Sequence, residues 1–317
     1  MTNQSTIAGA GTLRPATPTG RRAAPRSALR EERSALKFLA PFVILYLLFV
    51  IGPTIYAIVL SLFNGSLVRS GLGSFAGLGN YAEALSSSDF WSSLWHTTYF
   101  TILTVPPLVV LAFVFALLAD RAKNGRWFFR FAFFAPYVLP SAVMSLIWVW
   151  IYTPAIGLAD NWLGAIGITP PGWLGDPHWA MPSVAAATVW WTLGFNFILY
   201  LAGLQDIPRE LYEAASLDGA GPVQQIFRIT LPLLRRTTTL VVVLQVIASL
   251  KIFDQIFIMT SGGPNFSTIP ALEYVYDQSF SNMRIGYGSA VSMLLFLLIF
   301  AVSFVWFRIS SREEGGA

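Results

Sequence analysis

Six long apolar segments constrain this chain more than any other feature of its sequence. They lie near residues 37–63, 96–119, 131–152, 184–205, 237–260 and 285–307, each bounded by charges or by Gly and Pro. A helix needs about 20 apolar residues to cross a bilayer, where backbone amides must be hydrogen-bonded within the protein. A composition of 55% hydrophobic and 11% charged residues agrees with burial in lipid. We therefore predict an all-α membrane protein with six transmembrane helices.

The basic residues between these segments predict the orientation, because cytoplasmic loops retain Lys and Arg. Seven lie before or at the start of the first segment, four between the second and third, four between the fourth and fifth, and two after the sixth. The opposite side has only Arg69 and Arg284. Both termini are therefore predicted to be cytoplasmic.

The apolar segments also predict the domain boundaries. Residues 1–35 are rich in Ser, Thr, Ala, Pro and Arg without apolar periodicity, which is typical of a disordered basic tail. We expect a six-helix membrane domain over 36–310, with a cytoplasmic loop at 206–234, and a short C-terminal tail at 311–317.

The loop at 206–234 combines acids with Pro and Gly in a regular order. Pro208 suits a first helical position, and Glu210 and Glu213 lie where a helix N-terminus favours acids. Gly219 suits a left-handed helix end, and Pro222 suits the start of a second helix. The pattern predicts two short helices joined at a glycine, either as a docking surface or as a simple connection between two spans.

The spacing within this loop resembles the EAA motif of permease subunits of binding-protein-dependent ABC importers. All seven fixed positions match at that spacing, in the order Glu213, Ala214, Ala215, three residues, Gly219, nine residues, Ile229, any residue, Leu231 and Pro232. Other stretches, among them "RFAFFAPYVLPSAVMSLIWVWIYTP" and "KIFDQIFIMTSGGPNFST", are similar to the carbohydrate-uptake branch of that family, of the glycerol-phosphate and maltose transporter type.

The resemblance implies a type I ABC importer permease (MetI-like) fold and a coupling role for the loop, which in the family sits in a cleft of a cytoplasmic ATPase. The implied coupling residues are Glu213, Ala214, Ala215, Asp218, Gly219, Ile229, Leu231 and Pro232. It also implies a second homologous permease, two ATPase subunits, an extracytoplasmic solute-binding protein and a small sugar or polyol as solute. The implied location is a bacterial or archaeal cell membrane.

Nothing in the sequence predicts catalysis or a cofactor on this chain. None of its lysines (Lys37, Lys123 and Lys251) follows glycine, so the phosphate-binding pattern G-x-x-x-x-G-K-[ST] is absent. There is no cysteine, and the two histidines are far apart in sequence, so we expect no metal site. ATP and Mg²⁺ are expected on the partner ATPase, and no nucleic acid is expected as a partner.

Polar residues within the predicted spans are candidates for the translocation path. A charged group at the centre of a spanning helix costs about 2.5 to 3.5 kcal/mol on insertion scales. Lys251 and Asp254 are three residues apart on the predicted fifth helix, where they would form either a structural ion pair or part of the path. Further candidates, which bilayer anchoring or interhelical hydrogen bonding would equally explain, are Asn196, Gln245, Trp190 and Tyr200.

Two other functions compete with the importer. A secondary transporter driven by an ion gradient would use Lys251 and Asp254 as its coupling site, although such carriers commonly contain an internal repeat. A membrane scaffold or sensor would use the loop at 206–234 only to recruit a cytoplasmic partner.

Overall fold

The computed structural model describes residues 38–121 and 126–314, and every regular element in these ranges is helical. In chain order the helices are α1 (Phe38–Ser61), α2 (Gly79–Ser86), α3 (Ser88–Arg121), α4 (Arg126–Phe134), α5 (Ser141–Ile151), α6 (Leu158–Ala165) and α7 (Pro177–Gln205). They continue with α8 (Arg209–Leu217), α9 (Pro222–Leu233), α10 (Arg235–Leu250), α11 (Asp254–Met259), α12 (Ala271–Tyr276) and α13 (Ile285–Glu314). The predicted tail at 1–35 lies outside the described residues.

Four helices are long and apolar enough to cross a membrane by themselves, namely α1, α3, α7 and α13. Two further spans are formed if each of two bent pairs counts as one: residues Trp127–Val138 with α5, and α9 with α10. The described residues therefore contain four to six candidate spans, which confirms the predicted all-helical membrane class.

Two of the predicted spans are not straight helices. The segment predicted at 131–152 bends by 97° between Val138 and Ser141, next to Pro140. The segment predicted at 237–260 ends its long helix at Leu250, and a separate short helix starts at Asp254. The prediction of one continuous helix is wrong at both places. In contrast, α3 runs through Pro106 and Pro107 without interruption.

Contacts between residues divide the chain into one compact unit that ends at Ile55 and a second that begins at Tyr56. Within the second unit, α3 and α7 form the centre of the packing, together with α10. Their shared core contains small residues on α3 opposite larger ones on α7, including Ala112, Ala116, Phe197 and Tyr200. We call this the central core cluster; small side chains allow two helix backbones to approach closely.

Helix α7 is held close to α4 at a glycine. A Cβ atom added to Gly194 would lie 2.1 Å from the backbone oxygen of Phe133, so no larger residue fits without moving the backbone. The start of α7 is fixed as well, because Pro177 occupies its first position and the Asp176 carboxylate accepts a hydrogen bond of 2.8 Å from the His178 amide. These contacts set the position of the polar residues along α7.

Candidate functional site

A cavity of about 340 Å³ lies at the interruption between α10 and α11. Helices α3, α7 and α10 and the residues between Leu250 and Asp254 form most of its lining, and α5, α11 and α12 contribute Ser141, Asp254, Gln255 and Leu272. Its polar lining consists of Thr104, Ser141, Thr188, Thr192, Gln245, Ser249, Lys251, Asp254 and Gln255. The cavity therefore offers hydroxyl, amide, ammonium and carboxylate groups in one partly open volume.

The structure brings Lys251 and Asp254 to this cavity, but not as neighbours on one helix. Lys251 is the C-terminal cap of α10, and Asp254 lies in the first turn of α11. The Asp254 carboxylate accepts a hydrogen bond of 2.8 Å from the Ser141 hydroxyl at the start of α5. The ion pairs between described residues do not include one between Lys251 and Asp254, and both residues line the cavity.

The other predicted path residues divide into two groups. Gln245 lines the cavity. Asn196 and Tyr200 are buried in the interior of α7, at 0% and 1% exposure, and Trp190 packs edge-on against Trp148. These three do not line the cavity; Asn196 and Tyr200 are buried among other helices, and Trp190 is 40% exposed.

Sequence reasoning missed the threonines of the cavity. Thr188 and Thr192 line it from α7, and each donates its hydroxyl to the backbone oxygen four residues earlier, as does the Asn196 amide. Thr188, Thr192, Asn196 and Tyr200 recur every four residues, which places them on one face of a helix. That polar stripe within an apolar span was the signal that could have identified them.

The loop at 206–234 has the predicted arrangement of helix, glycine and helix. Helix α8 begins at Arg209, one residue later than predicted, with Pro208 as its N-cap. It ends in a Schellman motif: Gly219 has φ +80°, its amide donates to Ser216 O at 3.1 Å, and the Ala220 amide donates to Ala215 O at 2.8 Å. Helix α9 then begins at Pro222, as predicted.

The surface of this loop is open. None of the residues of α8 is buried, and Glu213, Ala214 and Asp218 are all exposed. Leu217 is 90% exposed and Leu211 43% exposed, although both are large apolar side chains. Farther along, Ile229 and Leu231 are half-buried and Pro232 is exposed. Exposed leucines beside alanines and acids form a surface that a protein partner could cover.

Fold and sites together define a membrane transport subunit: a helical membrane domain with a polar cavity between its helices and an exposed helical loop. Residues 114–313 match the family described as "Binding-protein-dependent transport system inner membrane component". The chain belongs to this family.

Relatives of known transport systems agree with this assignment. The chain is 34% identical over 280 residues to the sulfoquinovosyl glycerol transport system permease protein of Agrobacterium fabrum, covering 88% of this chain and 91% of the relative. It is 33% identical over 282 residues to the trehalose/maltose transport system permease protein of Thermococcus litoralis, covering 88% and 94%.

The fold is shared with a solved importer. A crystal structure of a bacterial ABC transporter involved in the import of the acidic polysaccharide alginate contains a chain that superimposes with a TM-score of 0.80. The match covers 90% of this chain and 98% of the other, at 22% identity. By its family and its relatives the protein is a permease subunit of an ABC importer and a component of the cell membrane. This membership favours the importer over an ion-gradient-driven transporter or a scaffold.

Proposed function

We propose that this permease forms half of a translocation pore for a sugar or related polyol, with a second homologous permease as the other half. Two copies of a separate cytoplasmic ATPase, which carry the ATP and Mg²⁺, drive it, and an extracytoplasmic solute-binding protein delivers the solute. The relatives named above handle glycosylated glycerol and disaccharides according to their names. That shared class supports a hydroxyl-rich solute for this chain.

The observation that carries this proposal is that one helix connects the loop to the cavity. Helix α10 follows directly after α9 of the loop, and its 16 residues span about 24 Å. Gln245 and Ser249, near its other end, line the cavity. A displacement of the loop by a cytoplasmic ATPase would therefore be transmitted along α10 to the residues that surround the solute.

The chemistry of the cavity suits a sugar. Hydroxyl and amide groups both donate and accept hydrogen bonds, as the hydroxyls of a sugar require. The rings of Trp191 and Phe253 also line the cavity and provide apolar faces for a sugar ring. The volume of about 340 Å³ lies at the lower end of the range for small-molecule sites. A second permease would complete the enclosure.

Alternating access follows from this arrangement. Binding of ATP would draw two ATPase subunits together and move the loop of each permease, so that the pore opens toward the binding protein; hydrolysis would reset it. The loop at 206–234 must then be cytoplasmic, which is the side that the basic residues predict.

Capture of the intact assembly tests this function. We would solubilise native membranes gently, capture the chain through a C-terminal tag and identify stoichiometric partners by mass spectrometry. We expect an ATPase with a phosphate-binding loop, a second permease and a secreted binding protein, which would then serve to screen sugars and polyols. Recovery of this chain alone, under conditions that preserve a known ABC importer, would contradict the proposal.

A further inference from the structure

Few side chains connect helix α8 of the loop to the membrane domain. None of its residues is buried, and its tip at Leu217 is almost fully exposed. Among the residues of α8, Tyr212 is the one that packs against the central core cluster. A helix attached so sparsely can transmit a displacement only through the chain at its two ends or through the side chains that hold it.

The Tyr212 hydroxyl makes a directed contact with the following helix. Its oxygen lies 2.9 Å from Oγ1 of Thr230, which is 1% exposed. Thr230 Oγ1 also lies 3.4 Å from the backbone oxygen of Gln225, to which it donates. Each hydroxyl can donate or accept, so the two oxygens share one hydrogen bond between α8 and α9.

A second set of hydrogen bonds closes this network. Gln225 donates its side-chain amide to Ser216 Oγ at 2.9 Å and to Ala220 O at 3.2 Å. Ser216 Oγ in turn donates to the backbone oxygen of Tyr212 at 2.7 Å. Two points on α8, one turn apart, are therefore fastened to α9, which resists rotation of α8 about its glycine end.

Thr230 lies where α9 turns into α10. It is the last residue of a π-helical segment, Ile226–Thr230, and its backbone oxygen accepts a hydrogen bond of 2.9 Å from the amide of Leu234. Leu234 is 1% exposed and belongs to the central core cluster. The axes of α9 and α10 differ by 65° at this point. π-Helical turns occur frequently at functional sites.

We propose that Tyr212 is a positioning residue whose hydrogen bond to Thr230 makes the loop and the start of α10 move as one body. Without that bond, α8 would stay joined to α9 through Gln225 and Ser216 but not to Thr230, where α9 turns into α10, so less of its displacement would reach α10 and the cavity. This inference rests on the proposed coupling function of the loop, and it assigns this step of the transmission to one pair of side chains.

The test uses the complete importer captured through this chain and reconstituted in lipid nanodiscs. ATPase activity is measured with and without the co-purified binding protein. Tyr212→Phe keeps the ring in the core and removes only the hydroxyl; Thr230→Val removes the other hydroxyl at constant shape, and Thr230→Ser retains it. Tyr56→Phe, at an exposed tyrosine far from the loop in sequence, is the matched control.

We expect Tyr212→Phe and Thr230→Val to keep the basal ATPase rate within about twofold and to lose about fivefold in stimulation by the binding protein. The double variant should be no worse than either single variant, because both remove the same contact. Thr230→Ser and Tyr56→Phe should behave like the unmodified protein. Equal yield and melting temperature across the set would exclude a folding defect.

Two results would overturn the inference in different ways. Unchanged stimulation in the Tyr212→Phe and Thr230→Val complexes, or strictly additive losses in the double variant, would show that their hydrogen bond does not transmit the movement. A captured complex without any ATPase would contradict the proposed function itself, and this inference with it.

Discussion

Glu273 shows how a single residue departs from the behaviour expected of its type. It lies on α12, in the connection before the last long helix, and is 2% exposed. Its Oε2 atom has no hydrogen-bond partner among the described residues. Burial, and secondarily the negative charge of Asp277 one turn later, raise the pKa of the Glu273 carboxyl to about 7. The folded protein therefore retains a proton there that an unfolded chain would lose.

This shift predicts a pH-dependent stability. The unfolded carboxyl loses its proton near its ordinary pKa of 4.5, and the folded one near 7. Between these values the folded state binds more protons, so its stability falls as pH rises and levels off above 7. Glu273→Gln removes this slope, and its melting temperature should exceed that of the unmodified protein by a few degrees at pH 8.

Thermal unfolding of the purified protein at pH 5, 6, 7 and 8 measures this effect. Asp89→Asn, at an exposed carboxylate, is the control and should retain the slope. An identical pH slope in Glu273→Gln would show that another group is responsible.

At the scale of helices, hydropathy predicted where the spans lie in the sequence better than whether each one is straight or bent. The helices near 96–119, 184–205 and 285–307 were predicted because length and composition decide them. The bend beside Pro140 was not predicted. Proline disfavours a continuous helix, but Pro106 and Pro107 leave α3 uninterrupted, so a proline in the sequence does not by itself show where a helix bends. At the bend, Trp191 Nε1 donates a hydrogen bond of 3.1 Å to the backbone oxygen of Leu139. A side chain of another helix therefore satisfies a backbone group that a continuous helix would have paired.

The candidate sites also contain some features that the sequence predicts and others that it does not. The turn at Gly219 and the start of α9 at Pro222 follow from local chemistry and were predicted residue by residue. The cavity depends on where α10 is interrupted, at Lys251–Phe253, where neither Gly nor Pro marks a break. Lys251 and Asp254 could therefore be singled out as costly charges, but their separation onto two helices could not be foreseen.

The close approach of α7 and α4 gives a prediction about packing. Gly194→Ala places a methyl group 2.1 Å from the Phe133 backbone oxygen, and a helix backbone cannot give way as a side chain can. We expect a loss of about 3 kcal/mol in unfolding free energy. Melting temperature and the monodisperse fraction after solubilisation measure it. Gly164→Ala, in open space on α6, should be neutral; equal behaviour of the two variants would contradict the close packing.

At the scale of the whole molecule, the proposed function requires that the loop and the connections at the opposite end of the helices lie on different sides of the membrane. In the proposed cycle the loop meets a cytoplasmic ATPase, whereas the connections on the other side of the membrane meet a binding protein. The distribution of basic residues predicts this orientation: the connection between α1 and α2 has only Arg69, whereas the loop has Arg209 and Arg228 and is followed directly by two arginines. The same asymmetry predicts both termini on the side of the loop.

Because the chain has no cysteine, single-cysteine variants can test this orientation without background. Ser70 is exposed in the connection between α1 and α2, and Ser70→Cys should react with a membrane-impermeant maleimide on intact cells. Ser5→Cys and Gly316→Cys, near the two termini, should react only after permeabilisation, since the membrane separates them from the reagent. Labelling of either terminus on intact cells, with Ser70→Cys protected, would reverse the orientation and place the loop at 206–234 out of reach of any cytoplasmic ATPase.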